Sequence, residues 1–272
     1  MPELPEIRNI AGQIDRALRG VIICGAEVRQ AKCLNRSEEE WKAMLTGRRV
    51  EGAYSKGKWC EITLDEGMLL RLNLGMGGEF LIHEQGESLP AKWRIALALE
   101  DGRRISVNFW WFGYLHVVHE GEAHAGYDSL GRDALDETLT AEEFRAAYCS
   151  RKGAIKTLLL DQKIICGIGN YYSHDIFFEA GIHPMRRACD LTQNEYKRLY
   201  DVMRETFRRA TADGGAYYEK DIYNRPGRWE RRLIAYRSGE RCPVCGGSIE
   251  EIRTGATSGF ICPDCQKLPE HG

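Results

Sequence analysis

The sequence predicts an α+β chain of more than one domain, in which one helix and an antiparallel β layer come first, helices follow, and a small cysteine module closes the chain. Three observations predict it. Between Val21 and His119 short β-rich runs alternate with turn residues, beyond residue 132 the apolar spacing turns helical, and from Cys242 four cysteines stand in two CxxC pairs. A length of 272 residues is enough for a sizeable core and more than one domain.

The opening helix is read from PEIRNIAGQIDRALR, residues 5–19, where Ile7, Ile10, Ile14 and Leu18 recur at helical spacing. Eight β-rich runs follow: VIICGAEV, RRVEGAY, KWCEITL, MLLRLNL, EFLIHE, WRIALALE, RRISVNF and YLHVVHE. Their alternation fits an antiparallel sandwich or barrel. After HEGEAHAGYDSLGRDALDE the texture changes, and LTAEEFRAAYCSR opens with a Thr-x-x-Glu capping signal. Helical periods continue in AIKTLLLDQKI, NYYSHDIFFEAG and LTQNEYKRLYDVMRETFRRATADGG, which places a helical domain at roughly 132–215. The loop AYYEKDIYNRPGRWERR separates it from the cysteines. This order implies a cleft between two domains where a substrate is able to lie.

Composition sets the class. With 43% hydrophobic and 29% charged residues the chain reads as a soluble globular protein. Stretches such as LLRLNLGMGG fall well short of a membrane span, and Glu3, Glu6 and Arg8 interrupt any signal-peptide pattern, so a cytoplasmic protein without a membrane partner is expected. The net charge of −2 hides a split: residues 1–150 hold 18 Lys+Arg against 24 Asp+Glu, a net of −6, whereas residues 181–241 hold 14 against 9, a net of +5. A basic second half is a weak pointer to nucleic acid.

Cys24, Cys33, Cys60, Cys149, Cys166 and Cys189 are scattered and read as reduced thiols. Cys242, Cys245, Cys262 and Cys265 are regular, in CPVC and CPDC knuckles sixteen residues apart. Two such knuckles point to a four-thiolate zinc site, closed and structural, with two disulfides as the alternative. At the other end, MPELPE places Pro2 behind the initiator Met1 and beside Glu3 and Glu6. A small second residue favours removal of the methionine, which leaves a terminal secondary amine. An α-amino group has a pKa of about 7.7–8.0, so part of it is neutral and nucleophilic near pH 7, with two carboxylates at hand for proton transfer. Taken alone, the two glutamates also fit ordinary acids of a first helical turn.

PELPE at the start, GIGNYY at 167–172 with EAGIHP at 179–184, and CPVCG with CPDCQ at the end together resemble the formamidopyrimidine-DNA glycosylase/endonuclease VIII family, in order from Pro2 to Gln266. The resemblance implies an N-terminal helix and antiparallel β-sandwich at 1–131, a helix–two-turn–helix domain at 132–235 and a zinc β-hairpin at 236–272, gripping damaged double-stranded DNA as a monomer. One structural zinc per chain and no nucleotide cofactor go with it. It further implies a base-excision glycosylase with apurinic/apyrimidinic lyase activity on oxidised bases: Pro2 attacks C1′, Glu3 assists protonation and opening of the deoxyribose, Glu6 shares in later proton transfers, and β- and δ-elimination follow. The PELPE start leans towards the branch that takes oxidised purines.

By the same resemblance Lys58, on a strand, contacts the phosphate beside the lesion, while Lys56 is ordinary surface. Asn170 grips the distorted backbone, and Lys156 aligns with a further phosphate contact. Met76 and Phe112 match the residues that fill the space left by an extruded base. Trp110 stands where the family has an arginine that reads the opposite base; Trp110, or Trp111 if it is not core, then stacks rather than reads. A second departure is Thr257, where a hairpin arginine is usual; Arg253 is nearby. Tyr217, Tyr218, Lys220, Arg225 and Arg228 lie where the family has its lesion-recognition loop and offer compensating charge. The two departures motivate an alternative reading: a damage-binding protein of the same fold with weak catalysis.

Overall fold

The computed structural model describes residues 1–230 and 232–268. The chain divides into two compact units, Met1–Ser129 with Ala210–Trp229, and Leu130–Arg209 with the chain from Glu230 onward.

In the first unit α1 (Leu4–Leu18) is followed by β1 (Ile23–Val28), α2 (Glu38–Leu45), β2 (Val50–Lys56), β3 (Trp59–Leu64), β4 (Met68–Asn73), β5 (Glu79–His83), β6 (Ile95–Leu99), β7 (Arg104–Asn108), β8 (Tyr114–His119) and α3 (Ala125–Asp128). The strands pair antiparallel in two sheets, β1-β6-β7-β5 and β2-β3-β4-β8. Ile95, Leu97, Ile105 and Val107 of one sheet join Ile62, Leu70, Leu72 and Leu115 of the other in one core, to which α1 adds Ile7, Ile10 and Ile14. The architecture is therefore a sandwich with α1 packed on it. Each such side chain contributes about 1.5–3 kcal/mol on burial.

All eight expected strands are present. Helix α2 was not foreseen, although its signal is in the text: Ser37 accepts a hydrogen bond from the Glu40 N–H, and Glu38, Glu39 and Glu40 occupy the first turn. Its Trp41 is fully buried and donates to the Leu115 carbonyl at 3.0 Å. The segment 210–229 returns to this unit late in the chain. Ile222 enters the sandwich core, the Ile82 N–H donates to its carbonyl at 2.8 Å, and Gln13 donates to Asp221 at 3.0 Å.

The second unit contains β9 (Arg132–Asp133), α4 (Ala141–Tyr148), α5 (Ile155–Leu159), β10 (Ile165–Cys166), α6 (Asn170–Glu179), most of α7 (Gln193–Ala212), β11 (Glu250–Thr254) and β12 (Thr257–Ile261). The Thr140–Glu143 capping box starts α4 as read from the sequence. Helix α5 is shorter than the run AIKTLLLDQKI predicts. Gln162 explains the break, since its amide donates to the carbonyls of Leu160 and Ile168 at 2.8 Å and accepts from the Gly167 N–H at 2.9 Å, which folds the chain into a turn. Helix α6 buries eight of its ten residues, Tyr171 to Phe178, as befits a central helix. Among the described residues no helix is long and apolar enough to cross a membrane.

Candidate active site and nucleic-acid interface

Pro2 is buried at the start of α1, and Glu3 and Glu6 are only 4% and 3% exposed. First-turn glutamates normally face water, so burial of both requires partners. Glu6 has them: one oxygen accepts the Glu3 N–H at 2.7 Å, and the other accepts the Ala216 N–H at 2.8 Å. The second bond depends on Gly215. Its φ is +93°, and a Cβ there would lie 2.6 Å from the Glu6 Cγ, so only glycine lets segment 210–229 close on this carboxylate. Glu6 thus both caps α1 and is oriented by it.

The terminal ammonium, here that of Met1, lies 3.2 Å from a Glu219 oxygen. Burial pushes the Glu219 carboxyl above its ordinary pKa; the terminal ammonium opposes this and Glu6 adds to it. Sequence reasoning missed Glu219, because the segment reads as an aromatic and basic loop. The carboxylate in GGAYYEKD is the available signal. Three carboxylates around a chain terminus form a site able to hold and move protons.

Lys58 does not lie on a strand as expected. It occupies a two-residue turn between β2 and β3, closed by the Lys56–Trp59 pair, with Gly57 at φ +55°. Asn73 donates to its carbonyl at 3.3 Å, which holds this turn from β4. The Lys56 ammonium sits 5.1 Å from the centre of the Tyr127 ring.

Met76, Trp110 and Phe112 come together on two loops stitched to each other. The Met76 N–H donates to the Trp111 carbonyl at 2.9 Å, and a Cβ at Gly75 would fall 2.1 Å from that oxygen. Met76, Trp110, Trp111 and Phe112 are 43%, 67%, 62% and 68% exposed, a cluster of large apolar groups held in water. Trp111 is therefore not a core residue. Phe112 adopts φ +56°, a conformation that is uncommon for a bulky side chain. Basic residues of the late loop are largely engaged: Lys220 pairs with Glu79 at 3.2 Å, Arg225 with Asp221 at 2.8 Å, and Arg228 donates to the Ala212 carbonyl at 3.2 Å.

In the second unit Asn170 is the first residue of α6, and its side-chain oxygen is buried with no hydrogen-bond partner among the described residues. Lys156 departs from the expectation of a phosphate contact. It is 1% exposed, and its ammonium donates to the Ser258 carbonyl of β12. A buried ammonium already bonded in this way ties α5 to the hairpin instead. Asp175 of α6 fixes the segment that leads into the cysteine module, accepting the N–H groups of Leu233, Ile234 and Ala235 at 2.9, 3.0 and 3.2 Å. His174 packs edge-on against Phe260. Thr257 bonds Thr254 within the hairpin at 3.2 Å, and Arg253 donates to the Gly255 carbonyl at 3.2 Å.

The sulfurs of Cys242, Cys245, Cys262 and Cys265 all lie within 4.8 Å of one another, with Cys242–Cys265 at 3.8 Å and Cys245–Cys262 at 3.4 Å. Tetrahedral zinc with Zn–S of about 2.3 Å requires sulfur–sulfur distances of about 3.8 Å, so the four thiols fit the ion. Burial works to raise the Cys242 thiol, yet the N–H groups of Cys245 and Val244 bring it down to about 7, whereas burial and the neighbouring thiols hold Cys262 and Cys265 up, as expected when four sulfurs crowd together without a cation between them.

Three family models match in chain order: the formamidopyrimidine-DNA glycosylase N-terminal domain over residues 1–108, the formamidopyrimidine-DNA glycosylase H2TH domain over 130–220, and the zinc finger found in FPG and IleRS over 239–268. A formamidopyrimidine-DNA glycosylase of Chloroflexus aurantiacus is 33% identical over 272 residues, covering 98% of each chain. One from Listeria monocytogenes is 30% identical over 98% of this chain and all of its own. Among solved structures, Lactococcus lactis Fpg in complex with an abasic-site DNA matches with a TM-score of 0.90 at 23% identity, over 98% of this chain and 100% of that one. The chain belongs to the formamidopyrimidine-DNA glycosylase family. The zinc-finger match and the four-sulfur cluster together give it a structural zinc site.

Proposed function

We propose that this DNA glycosylase of base excision repair removes oxidised bases from duplex DNA and then cuts the strand through a Schiff base on Pro2, once Met1 is gone. The observation that carries the reading is the burial of Pro2, Glu3 and Glu6 together at the head of α1, with Glu6 held by two backbone N–H groups. Burying carboxylates works against stability, so their concentration at a chain terminus argues for chemistry.

The neutral amine attacks C1′ while the glycosidic bond breaks, and the base departs with that electron pair and a proton. Glu3 assists protonation and ring opening, and the amine loses its proton as the iminium forms. That cation accepts electrons when the 2′ proton is removed; the 3′ phosphate leaves, and δ-elimination releases the 5′ side. Glu6 shares in these transfers, and Glu219 orients the amine. Lys58 and Asn170 engage the backbone, while Met76, Trp110 and Phe112 fill the vacated space. Segments 1–131, 132–235 and 236–272 act as chemical domain, helical DNA-binding domain and zinc hairpin of a cytoplasmic monomer, except that 210–229 belongs with the first. The zinc, held by Cys242, Cys245, Cys262 and Cys265, shapes the hairpin and leaves no coordination position open.

The test is borohydride trapping on duplex DNA with an abasic site, using preparations shown by mass spectrometry to lack or retain Met1. A covalent adduct is expected only without Met1. Equal trapping with Met1 retained refutes Pro2 as nucleophile. DNA binding without an adduct in either preparation establishes the second reading, a damage-binding protein, which Trp110 and Thr257 favour.

A further inference from the structure

The turn that carries Lys58 is held more firmly than loop tips usually are. A tip makes few contacts beyond its own strands and is among the first parts of a fold to move. Here Gly57 is buried, Lys58 is half-buried with its carbonyl bonded to Asn73, and the next residue, Trp59, is only 7% exposed. Cys60 and Ile62 of β3 point into the sandwich core, so Trp59 and Glu61 stand on the outer face of their sheet. Burial of an indole on that face needs a cover, and β8 and α3 provide it.

Four rings surround the indole. Tyr114 lies parallel to it, with centroids 6.4 Å apart and 9° between planes, whereas His124 and Tyr127 meet it edge-on at 5.2 and 6.2 Å, and His116 lies at 6.3 Å. Helix α3 has four residues, too few to persist alone, so its contacts must fix it.

The hydrogen bonds that do so run in one direction. Nδ1 of His124 accepts the Tyr127 N–H at 3.1 Å, which leaves the ring proton on Nε2 to be donated to Nδ1 of His116 at 2.8 Å. Burial holds both imidazoles below their ordinary pKa, so they are neutral near pH 7, as this link requires. Strand register sets Glu61, Arg71 and His116 side by side; Arg71 bonds Glu61 at 2.7 Å, and its guanidinium lies 4.1 Å from the centre of the Tyr127 ring. A buried Arg–Glu pair is often no more stabilising than apolar side chains of the same volume. What this network adds is a single arrangement of the rings around Trp59, one residue from Lys58.

We propose that Trp59, His116 and His124 are positioning residues for Lys58: the aromatic cage and the His124-to-His116 hydrogen bond hold the 57–58 turn in place, so that the ammonium meets a DNA phosphate already ordered. The inference rests on the reading of Lys58 as a phosphate contact.

The test measures affinity of the full-length protein for a duplex with a non-cleavable abasic analogue across a salt series, with melting followed for every variant. Lys58→Ala is expected to weaken binding and to lower the salt slope by about 0.9, the value for one phosphate contact. His124→Asn keeps an acceptor for the Tyr127 N–H at the start of α3, but it is too short to reach His116 and offers Trp59 no ring. It is expected to weaken binding several-fold and to lower the slope in the same direction, and to cause no further loss when combined with Lys58→Ala. Trp59→Phe, which returns a ring to the cage, should bind closer to wild type than the equally apolar Trp59→Leu. Wild-type affinity and slope in His124→Asn and Trp59→Leu overturn the proposal. So do losses that add fully to that of Lys58→Ala, since a cage that only supports the fold acts independently of the lysine. The two ideas fail differently: Lys58→Ala that binds like wild type removes the phosphate contact and the inference with it, whereas a normal Lys58→Ala effect with unaffected cage variants removes the inference alone.

Discussion

Gly215→Ala tests how the carboxylate beside the N-terminus is held. A methyl group at this position would lie 2.6 Å from the Glu6 Cγ and 2.7 Å from one of its oxygens, at a φ of +93° that L side chains rarely adopt. Either the 215–216 backbone retreats and the 2.8 Å bond from the Ala216 N–H is lost, or Glu6 turns and both of its backbone bonds are lost. A hydrogen bond to a charged group is worth about 1.5–3 kcal/mol. Backbone strain in this region adds about 1 kcal/mol or more. Retreat of the loop is the cheaper route, so a loss of about 3 kcal/mol is expected, or on the order of 5–10 °C in Tm. Gly214→Ala is the control, since it has φ +78° but meets only the Asn9 amide, at 3.6 Å. It shares the strain without the clash. Calorimetry and single-turnover cleavage of an abasic duplex should show Gly215→Ala much less stable and much slower than Gly214→Ala. Equal effects on melting and cleavage in both variants would refute the locked Glu6.

Removal of zinc by a chelator should loosen the hairpin and weaken DNA binding while leaving the sandwich folded; metal analysis of reduced, freshly purified protein should find one zinc per chain, and finding none would sink the assignment. Burial, with a smaller contribution from Lys156, pulls His174 down to about 3, whereas the unfolded chain titrates near 6.5. The unfolded state alone therefore takes up a proton as pH falls from about 6.5 to 3, and stability should drop by about 1.4 kcal/mol per pH unit from this residue. Urea unfolding from pH 7 to 4.5 should show a shallower dependence for His174→Phe, and identical slopes would refute the argument. Trp110 stacks but has a single ring donor, so cleavage should depend weakly on the base opposite the lesion; Trp110→Arg should restore a dependence worth about 1–3 kcal/mol. A wild-type preference of a hundredfold or more, measured with all four opposite bases at fixed salt, would show that another residue reads that base.

What the sequence determined by itself was everything carried by neighbours within a few residues or by a fixed spacing. The 3.6-residue stripe of Ile7, Ile10 and Ile14 specified α1, the alternation in eight short runs specified the strands, Thr140 and Glu143 specified the start of α4, and two CxxC knuckles specified the zinc ligands. Helix α2 was legible in Ser37 and the three glutamates after it. Only the tertiary structure decided which distant groups meet. Glu6 and Ala216, 210 positions apart, share a hydrogen bond; Ile222 fills a core built from the first hundred and twenty residues; and Lys156 is buried against a carbonyl 102 positions away. The same holds for the Arg29 N–H and the Arg94 carbonyl, which bond at 2.8 Å only because β1 lies against β6. Local pattern reflects the conformational preference and solvation of one stretch, whereas these contacts depend on closing long loops. Their entropy is offset by the packing of whole elements, and no single stretch of sequence carries that sum.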